Sequence, residues 1–455
     1  MACNHCDEFT RSHLMRRAVA EAGHGLPAVE PGMPTPAGTG LNRRSFLLRS
    51  GAAMLSVYGA SKLRIGDLQT GIAQAAGSSD RVLVSIFLDG GADALSVLAP
   101  TEDALYQSLR PSLALPPGAG TAFSEDSRLR WNPAAAALDS LHRAGKVSVL
   151  PAVGYDSPDQ SHFTSRHYWE VGALQPHAIT GWMGRLLDVI GTPDNPIQGL
   201  SLDGILSPTL ASATVPVAAV DGPSYDIWAE GIWGKPEDLL WGSVAELGRG
   251  AGSKDIGRSS AGHAASQAMQ LKAQLEPFSG DEVAAPVAYP EGDGEWFGES
   301  LAGLAAMLGA GLPIRCAALS APGSFDTHDS QAESFDSDIA ITADSIAAFQ
   351  ADLEARGLAD RVITLVWSEF GRRPEENDSG TDHGAAGAGF VVGTQVRGEM
   401  IGEFPGLAEL DADDNVRNTS DFRGLYCSIV EQWFGVDAGA VIPDAAAFAR
   451  PALIR

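Results

Sequence analysis

Short unbroken apolar runs recur along the chain, and several end abruptly in acidic residues and glycine. The run at 81–88, Arg-Val-Leu-Val-Ser-Ile-Phe-Leu, stops at Asp89-Gly90-Gly91. A run apolar on both faces suits a buried parallel strand that opens into a loop. Similar runs stand at 146–153, 313–319, 361–367 and 389–393. Stretches with helical spacing lie between and around them, at 133–144, 162–173, 181–190, 258–275, 297–309, 331–356 and 419–434. This alternation predicts an α/β fold with a mostly parallel central sheet and helices on both faces. Ligands of such sheets bind at the carboxyl ends of the strands. Residues 222–296 are the most irregular stretch, and they are expected to form an insertion in a single domain spanning 76–455.

The first residues read differently. Pro/Gly-rich chain over 1–42 predicts a disordered extension, with Cys3-Asn4-His5-Cys6 resembling half of a zinc knuckle. Arg43-Arg44-Ser45-Phe46-Leu47 then opens a weakly apolar stretch rich in Ala and Gly, followed by Ala73-Gln74-Ala75. An arginine pair, a short apolar region and a small-x-small triplet predict a twin-arginine export signal over 43–75. The apolar stretch is too short to span a bilayer about 30 Å thick. The expected partner during export is the twin-arginine translocase. The expected location is the periplasm, the cell wall or the exterior, with no stable membrane anchor in the mature chain.

Composition narrows the function. The 455 residues are 44% apolar, with a formal net charge of −26. That is ample for a core, and a surface this acidic repels phosphate backbones, so nucleic acid is excluded as a partner. Two of the four cysteines, Cys3 and Cys6, precede the signal. The others, Cys316 and Cys427, are expected to be buried free thiols.

Chemistry-bearing residues cluster where strands end. Asp89-Gly90-Gly91-Ala92-Asp93 aims two carboxylates at the crevice above the sheet. Ser157 to His167 opens a helix, and Ser161, His162 and Thr164 are candidates there for nucleophile or ligand. Its N-terminal N–H groups favour an anion. Asp326-Thr327-His328 follows the run at 313–319, and oxygen plus imidazole donors suit zinc or manganese better than calcium. The run at 361–367 ends in Ser368-Glu369-Phe370-Gly371-Arg372-Arg373, and a polar loop leads on to Asp382-His383. Arg372 or Arg373 is a candidate bidentate holder of an anionic oxygen.

Taken in order, Phe87-Leu-Asp-Gly-Gly-Ala-Asp-Ala-Leu-Ser96, Ser161-His-Phe163, Gly181-Trp-Met-Gly-Arg-Leu-Leu-Asp188, Phe325-Asp-Thr-His328, Ser368-Glu-Phe-Gly-Arg372, Thr381-Asp-His-Gly384 and Asp421-Phe-Arg-Gly-Leu-Tyr426 resemble the bacterial family called domain of unknown function 1501. The resemblance runs over about 42–437. The family is grouped with the alkaline-phosphatase and sulfatase superfamily. That grouping implies a divalent metal (zinc, manganese or iron) held by Asp89 or Asp93, Asp326, His328, Glu369, Asp382 and His383. It places Ser161 or Thr164 as nucleophile, and Arg166 or Arg372 against the charge of the transition state. Asp326-x-His328 is shorter than the usual Asp-x-x-x-His, and Glu369 stands where Asp-His is usual. No Cys/Ser-x-Pro-x-Arg sequence occurs, which excludes the sulfatase formylglycine nucleophile.

The resemblance implies an exported, metal-dependent hydrolase of phosphate or sulfate esters, small or polymeric. The alternative is a non-catalytic binding or scaffold protein of the cell envelope that keeps the fold. Both require Asp326, His328, Glu369 and His383 to converge. Only the enzyme needs Asp89 and a hydroxyl beside them.

Overall fold

A computed structural model describes residues 57–58, 80–225, 227, 234–279 and 284–455. The extension, the cysteine pair and most of the export signal, including its arginines, lie outside the described residues. The chain divides into two units, residues 1–52 with 229–243, and residues 53–228 with 244–455. In the first unit, residues 234–243 are described, Gly234 and the start of the helix Lys235–Gly248. Everything that follows concerns the second.

The run at 81–88 forms the strand Val82–Phe87, buried at every position. It lies at the middle of a nine-stranded sheet whose order is Val57–Tyr58, Val217–Ala219, Gly199–Ser201, Cys316–Ser320, Val82–Phe87, Val362–Trp367, Gly387–Val392, Val147–Gly154 and Ser420–Asp421. Val82–Phe87 pairs in parallel with both neighbours, placing Phe87 opposite Trp367 on one side and opposite Ser320 on the other. Three central strands therefore end at one level. Their loops, at Asp89, Gly323–His328 and Ser368-Glu369, are delivered to the same edge.

The run at 389–393 becomes Gly387–Val392, but this strand runs antiparallel to Val362–Trp367 and to Val147–Gly154. The reason lies in the connection. After Trp367 the chain makes a hairpin, Arg372–Asn377 with Gly380–His383, and returns directly into the sheet. No crossover helix intervenes, so the next strand must run backwards. His383 is thereby held at the carboxyl edge of the neighbouring strand. Val147–Gly154 has the same direction as the central three and leads out to the helix His162–Val171.

That helix is fixed by its apolar face. Trp169 is buried and stacks on Trp367, with ring centroids 5.5 Å apart, and on Phe422 at 4.4 Å. Aromatic pairs of this kind add about 0.5–1.5 kcal/mol each beyond area burial. Seven residues earlier, nearly two turns, the same helix carries His162 over the sheet edge. Cys316 and Cys427 are buried free thiols, as the sequence implies. Burial pushes the Cys316 thiol up to about 12. Among the described residues, no helix is long and apolar enough to cross a membrane.

Candidate functional site

Glycines let the loops crowd together at the carboxyl edge. At Gly90 φ is +117°, and a Cβ there would lie 2.3 Å from the Asp326 nitrogen. Only glycine accepts both the angle and the approach. The Gly90 N–H donates to Glu369 Oε1 at 3.1 Å, the Ala92 N–H to Ser368 Oγ at 2.8 Å, and the Phe325 N–H to the Asp89 carbonyl at 2.9 Å. The hairpin docks on the other side. A Cβ at Gly380 would lie 2.2 Å from the His328 carbonyl carbon, and the Thr381 N–H donates to the Thr327 carbonyl at 3.0 Å.

One buried arginine ties these loops together. Arg372 is fully enclosed. Its guanidinium donates to the carbonyls of Gly90, Gly91 (2.8 Å), Phe325 (3.0 Å) and Thr381 (2.8 Å), and to Asp326 Oδ1 at 2.7 Å. The sequence reading made Arg372 a holder of a substrate anion. The structure corrects this, because its donors are committed to loop carbonyls and it has no exposed surface.

Three histidines face the Asp326 carboxylate. His383 Nε2 lies 3.1 Å from Oδ1, His328 Nε2 lies 3.0 Å from Oδ1, and His162 Nε2 lies 3.4 Å from Oδ2. The two nitrogens of His328 and His383 are themselves 3.1 Å apart. Outer partners orient two of the rings. His162 Nδ1 lies 2.7 Å from Glu369 Oε1, and His383 Nδ1 lies 2.8 Å from the Gln160 carbonyl. A carbonyl accepts only, so His383 carries a proton on Nδ1 and presents Nε2 to the centre. His162 pairs in the same sense, and its buried Nε2 has no hydrogen bond of acceptable geometry. Phe370 forms an apolar wall against both rings, 5.0 Å from His162 and 4.8 Å from His383.

The electrostatics match this crowding. Burial alone would raise the Asp326 carboxyl, but the His162 and His383 rings beside it and the hydrogen-bonded Arg372 guanidinium hold it well below the usual carboxylate range. Burial alone would lower His162, yet the adjacent Asp326 and Glu369 carboxylates outweigh that and lift it to about 9, so a cation would take its Nε2 in place of a proton. Burial, aided by the charge of Arg372, keeps His328 below the usual imidazole value despite Asp326.

One ligand atom from each of His162, Asp326 and His383 falls within 4.8 Å of the others. Two imidazole nitrogens and a carboxylate oxygen form the donor set of a catalytic zinc, manganese or iron site. A carboxylate or carbonyl behind each histidine is the usual companion of such ligands. An inward-facing buried nitrogen without a hydrogen bond is a group that a cation would satisfy. The residues present fit a divalent ion.

The other sequence-predicted residues fall around this trio. Glu369 converges on it but does not face the centre. Its oxygens accept from His162, Gly90 and Ser368, and it has no exposed surface. It orients His162 instead of serving as the expected ligand. Asp93 is away from the cluster. It caps the short helix Ala94–Val97 and pairs with buried Arg110, with further bonds from Ser96 and Gln331. Buried and saturated with donors, it cannot be the alternative to Asp89. Asp89 itself lies 3.5 Å from Arg166 Nη1. Asp382 flanks the centre, 3.6 Å from His328 Nδ1, and accepts from Asn377. Ser161 and Thr164 occupy the start of the helix, and neither hydroxyl is hydrogen-bonded to the histidine–aspartate cluster. Ser165, which the motif reading passed over, donates to the Glu369 carbonyl at 2.6 Å. His162 stood in the sequence only as an open candidate. Its motif neighbours gave no sign that its ring, not the adjacent hydroxyls, reaches the centre.

Residues 256–427 match the family described as "Protein of unknown function (DUF1501)". The match takes in Asp326, His328, Glu369, Arg372 and His383, and the family resemblance read from the motifs is borne out over that segment. None of the curated proteins searched matches the chain. Among solved structures, the chain is similar to the lipoteichoic acid synthase LtaP from Listeria monocytogenes (TM-score 0.36, 9% identity, 81% of this chain and 75% of that one). It is also similar to the PsFucS1 sulfatase from Pseudoalteromonas sp. (TM-score 0.35, 12% identity, 87% and 76%). A third is a protein in the alkaline phosphatase superfamily from Vibrio parahaemolyticus (TM-score 0.33, 9% identity, 90% and 78%).

Proposed function

We propose that this chain, matched over residues 256–427 to a family of unknown function, is an exported metal-dependent hydrolase of phosphate or sulfate esters. His162, Asp326 and His383 would hold the ion, with His328 at its exposed side. The observation that carries this reading is the buried His162 Nε2, which faces Asp326 without a hydrogen bond while Glu369 fixes its ring from behind. A divalent zinc, manganese or iron ion held there supplies Lewis-acid stabilisation of charge on the ester oxygen.

The chain's own residues divide the remaining work. Glu369 and the Gln160 carbonyl hold two imidazoles in their ligating orientation. Arg372 holds Asp326 and the three loops in register. Arg166, one helical turn beyond His162, keeps about a quarter of its side-chain surface exposed. It is therefore the guanidinium available to an anionic oxygen. Asp89, 3.5 Å from it, forms a loose pair that an incoming anion can replace. Ser161 and Thr164, in the first turn of the helix, are the nucleophile candidates, favoured by the N–H groups and dipole there. Export by the twin-arginine pathway to the periplasm, cell wall or exterior belongs to the same proposal, since that route carries folded chains.

One observation favours a second reading, a non-catalytic binding protein of the cell envelope. Neither the Ser161 nor the Thr164 hydroxyl is hydrogen-bonded to the cluster, so no nucleophile is visibly held in place. Elemental analysis of the chain purified without chelator, followed by an ester screen, separates the readings. A stoichiometric divalent ion, lost in His162→Ala and Asp326→Ala, with turnover of phosphate or sulfate esters, supports the hydrolase. A folded, metal-free wild type overturns it, and bound metal without turnover favours the binding protein.

A further inference from the structure

His383 is held from behind by a backbone carbonyl, and what holds that carbonyl lies outside the three loops of the centre. The acceptor belongs to Gln160, 2.8 Å from His383 Nδ1. Gln160 lies in segment 156–161, which carries the chain from the strand Val147–Gly154 to the helix His162–Val171. A carbonyl in a connecting segment is only as fixed as the segment itself. Tyr155 pins one part of it. The Asp159 N–H donates to the Tyr155 hydroxyl at 3.0 Å, and that hydroxyl donates to Ser165 Oγ at 3.0 Å. Ser165 bonds onward to the Glu369 carbonyl, so this anchor serves the His162 side of the centre.

The His383 side has its own anchor. Gln160 Nε2 donates to Asn415 Oδ1 at 3.0 Å, across 255 positions of sequence. Asn415 is 1% exposed, and Val416 after it is buried, so the grip has a rigid footing. Chemistry fixes which way the Asn415 amide faces. Its Nδ2 lies 3.1 and 3.0 Å from the two carboxylate oxygens of Asp411. A carboxylate accepts only, so the nitrogen faces Asp411 and the oxygen faces Gln160. Asp411 is itself held in a turn, where its Oδ1 accepts from the N–H groups of Asp413 at 2.9 Å and Asn415 at 2.8 Å. The amide therefore cannot flip without breaking both of its contacts.

We infer that Asn415 is a positioning residue for His383: it grips the Gln160 side chain, so that the Gln160 carbonyl keeps the imidazole turned toward Asp326. Freed at its tip, Gln160 would let the carbonyl swing away, and a cation would have to be bound by a ring that is no longer pre-oriented. That the ion held there serves ester hydrolysis rests on the hydrolase reading. The grip on His383 does not, and the two can be tested apart.

The experiment compares wild type, Gln160→Ala, Asn415→Ala and the double variant, each as the whole folded chain. Gln160→Ala keeps the backbone carbonyl that His383 uses and removes only the tether. Gln160 is half-buried, so this variant also keeps the test open should Asn415→Ala fold poorly. Zinc affinity, measured by chelator competition, is expected to fall about 2–10-fold in each single variant, the worth of one neutral hydrogen bond. The double variant should be no weaker than the weaker single, because both substitutions remove the same contact. The visible spectrum of the cobalt-loaded protein should change in all three, a readout that lost stability alone would not move. Unchanged zinc affinity and cobalt spectrum in Gln160→Ala would overturn the inference, as would additive losses in the double variant. Hydrogen exchange on the metal-free chains separates this inference from the hydrolase reading. The amides of 156–161 should exchange faster in both single variants, while those of Val362–Trp367 stay as in wild type. A wild type that takes up no metal yet gives this pattern would refute the hydrolase reading while leaving the grip of Asn415 standing.

Discussion

Glu369 Oε1 lies 2.7 Å from His162 Nδ1, joining residues 207 positions apart at the carboxyl edge of the sheet. The contact makes Glu369 a positioning residue, since its oxygens are spent on His162, Gly90 and Ser368. Glu369→Gln keeps the size and one accepting oxygen for His162 but removes the charge that raises the basicity of the imidazole. Metal affinity is expected to fall by about 10–100-fold, the range for loss of such outer partners. Thermal unfolding of the metal-free protein should shift far less. Competition against a chromogenic chelator measures the affinity, and a variant that holds metal as tightly as wild type would show that Glu369 does not act through His162.

Arg372→Met tests the knot that joins the loops. The substitution leaves the carbonyls of Gly90, Phe325 and Thr381 without this donor and Asp326 without its cationic partner. Removing one partner of a buried ion pair costs about 3–5 kcal/mol. Arg372→Lys is expected to recover little of this, because a point ammonium cannot reproduce the planar fork. Urea denaturation of both variants gives the answer, and a fully stable Arg372→Lys would show that charge alone suffices.

Asp93 contributes to the acid limit of the fold. Burial alone would raise its carboxyl, but Arg110, Ser96 and Gln331 bring it below the ordinary value of 3.8. A carboxyl depressed in the folded state favours folding above its unfolded value. That contribution is lost as pH falls through the folded value. Wild type should therefore lose stability below about pH 4, and Asp93→Asn should be destabilised at neutral pH but show a shallower decline in acid. Denaturation midpoints between pH 2 and 7 give the two slopes, and parallel slopes would remove Asp93 from the account.

The sequence made some of this legible and hid the rest for physical reasons. Val82–Phe87, Val147–Gly154 and Val362–Trp367 are long, apolar and closed by polar residues, so their existence and their polar ends could be read directly. Gly199–Ser201 and Val217–Ala219 span three residues each, too few to show a period. The direction of Gly387–Val392 depends on a hairpin built from Arg, Pro, Glu and Asn, which reads as loop. Asp326, His328 and His383 were recognisable because acid and imidazole stood together at strand ends. Arg372 was misread because its partners are loop carbonyls, and carbonyls have no sequence signature. Glu369 was misassigned for a related reason. A carboxylate at a strand end is legible, but whether it faces the centre or the back of a histidine is decided by packing.

Gly90 offers the sharpest test of how backbone approach positions the centre. Its φ of +117° and the 2.3 Å from a built Cβ to the Asp326 nitrogen impose two separate penalties on alanine. Gly357 provides the control, since its φ is +70° and nothing lies within 4 Å of a Cβ there. Gly357→Ala should cost only the strain of the left-handed region, about 1–3 kcal/mol, and leave metal affinity unchanged. Gly90→Ala must pay a similar strain and also push the Asp326 backbone away. A ligand displaced by a few tenths of an ångström loses its alignment with His162 and His383, so metal affinity should fall as well as stability. Melting temperature and chelator competition, measured on both variants, separate the two penalties. Equal metal affinity in Gly90→Ala and Gly357→Ala would mean that this approach of the two loops sets stability alone, and that Asp326 is positioned by Arg372 without it.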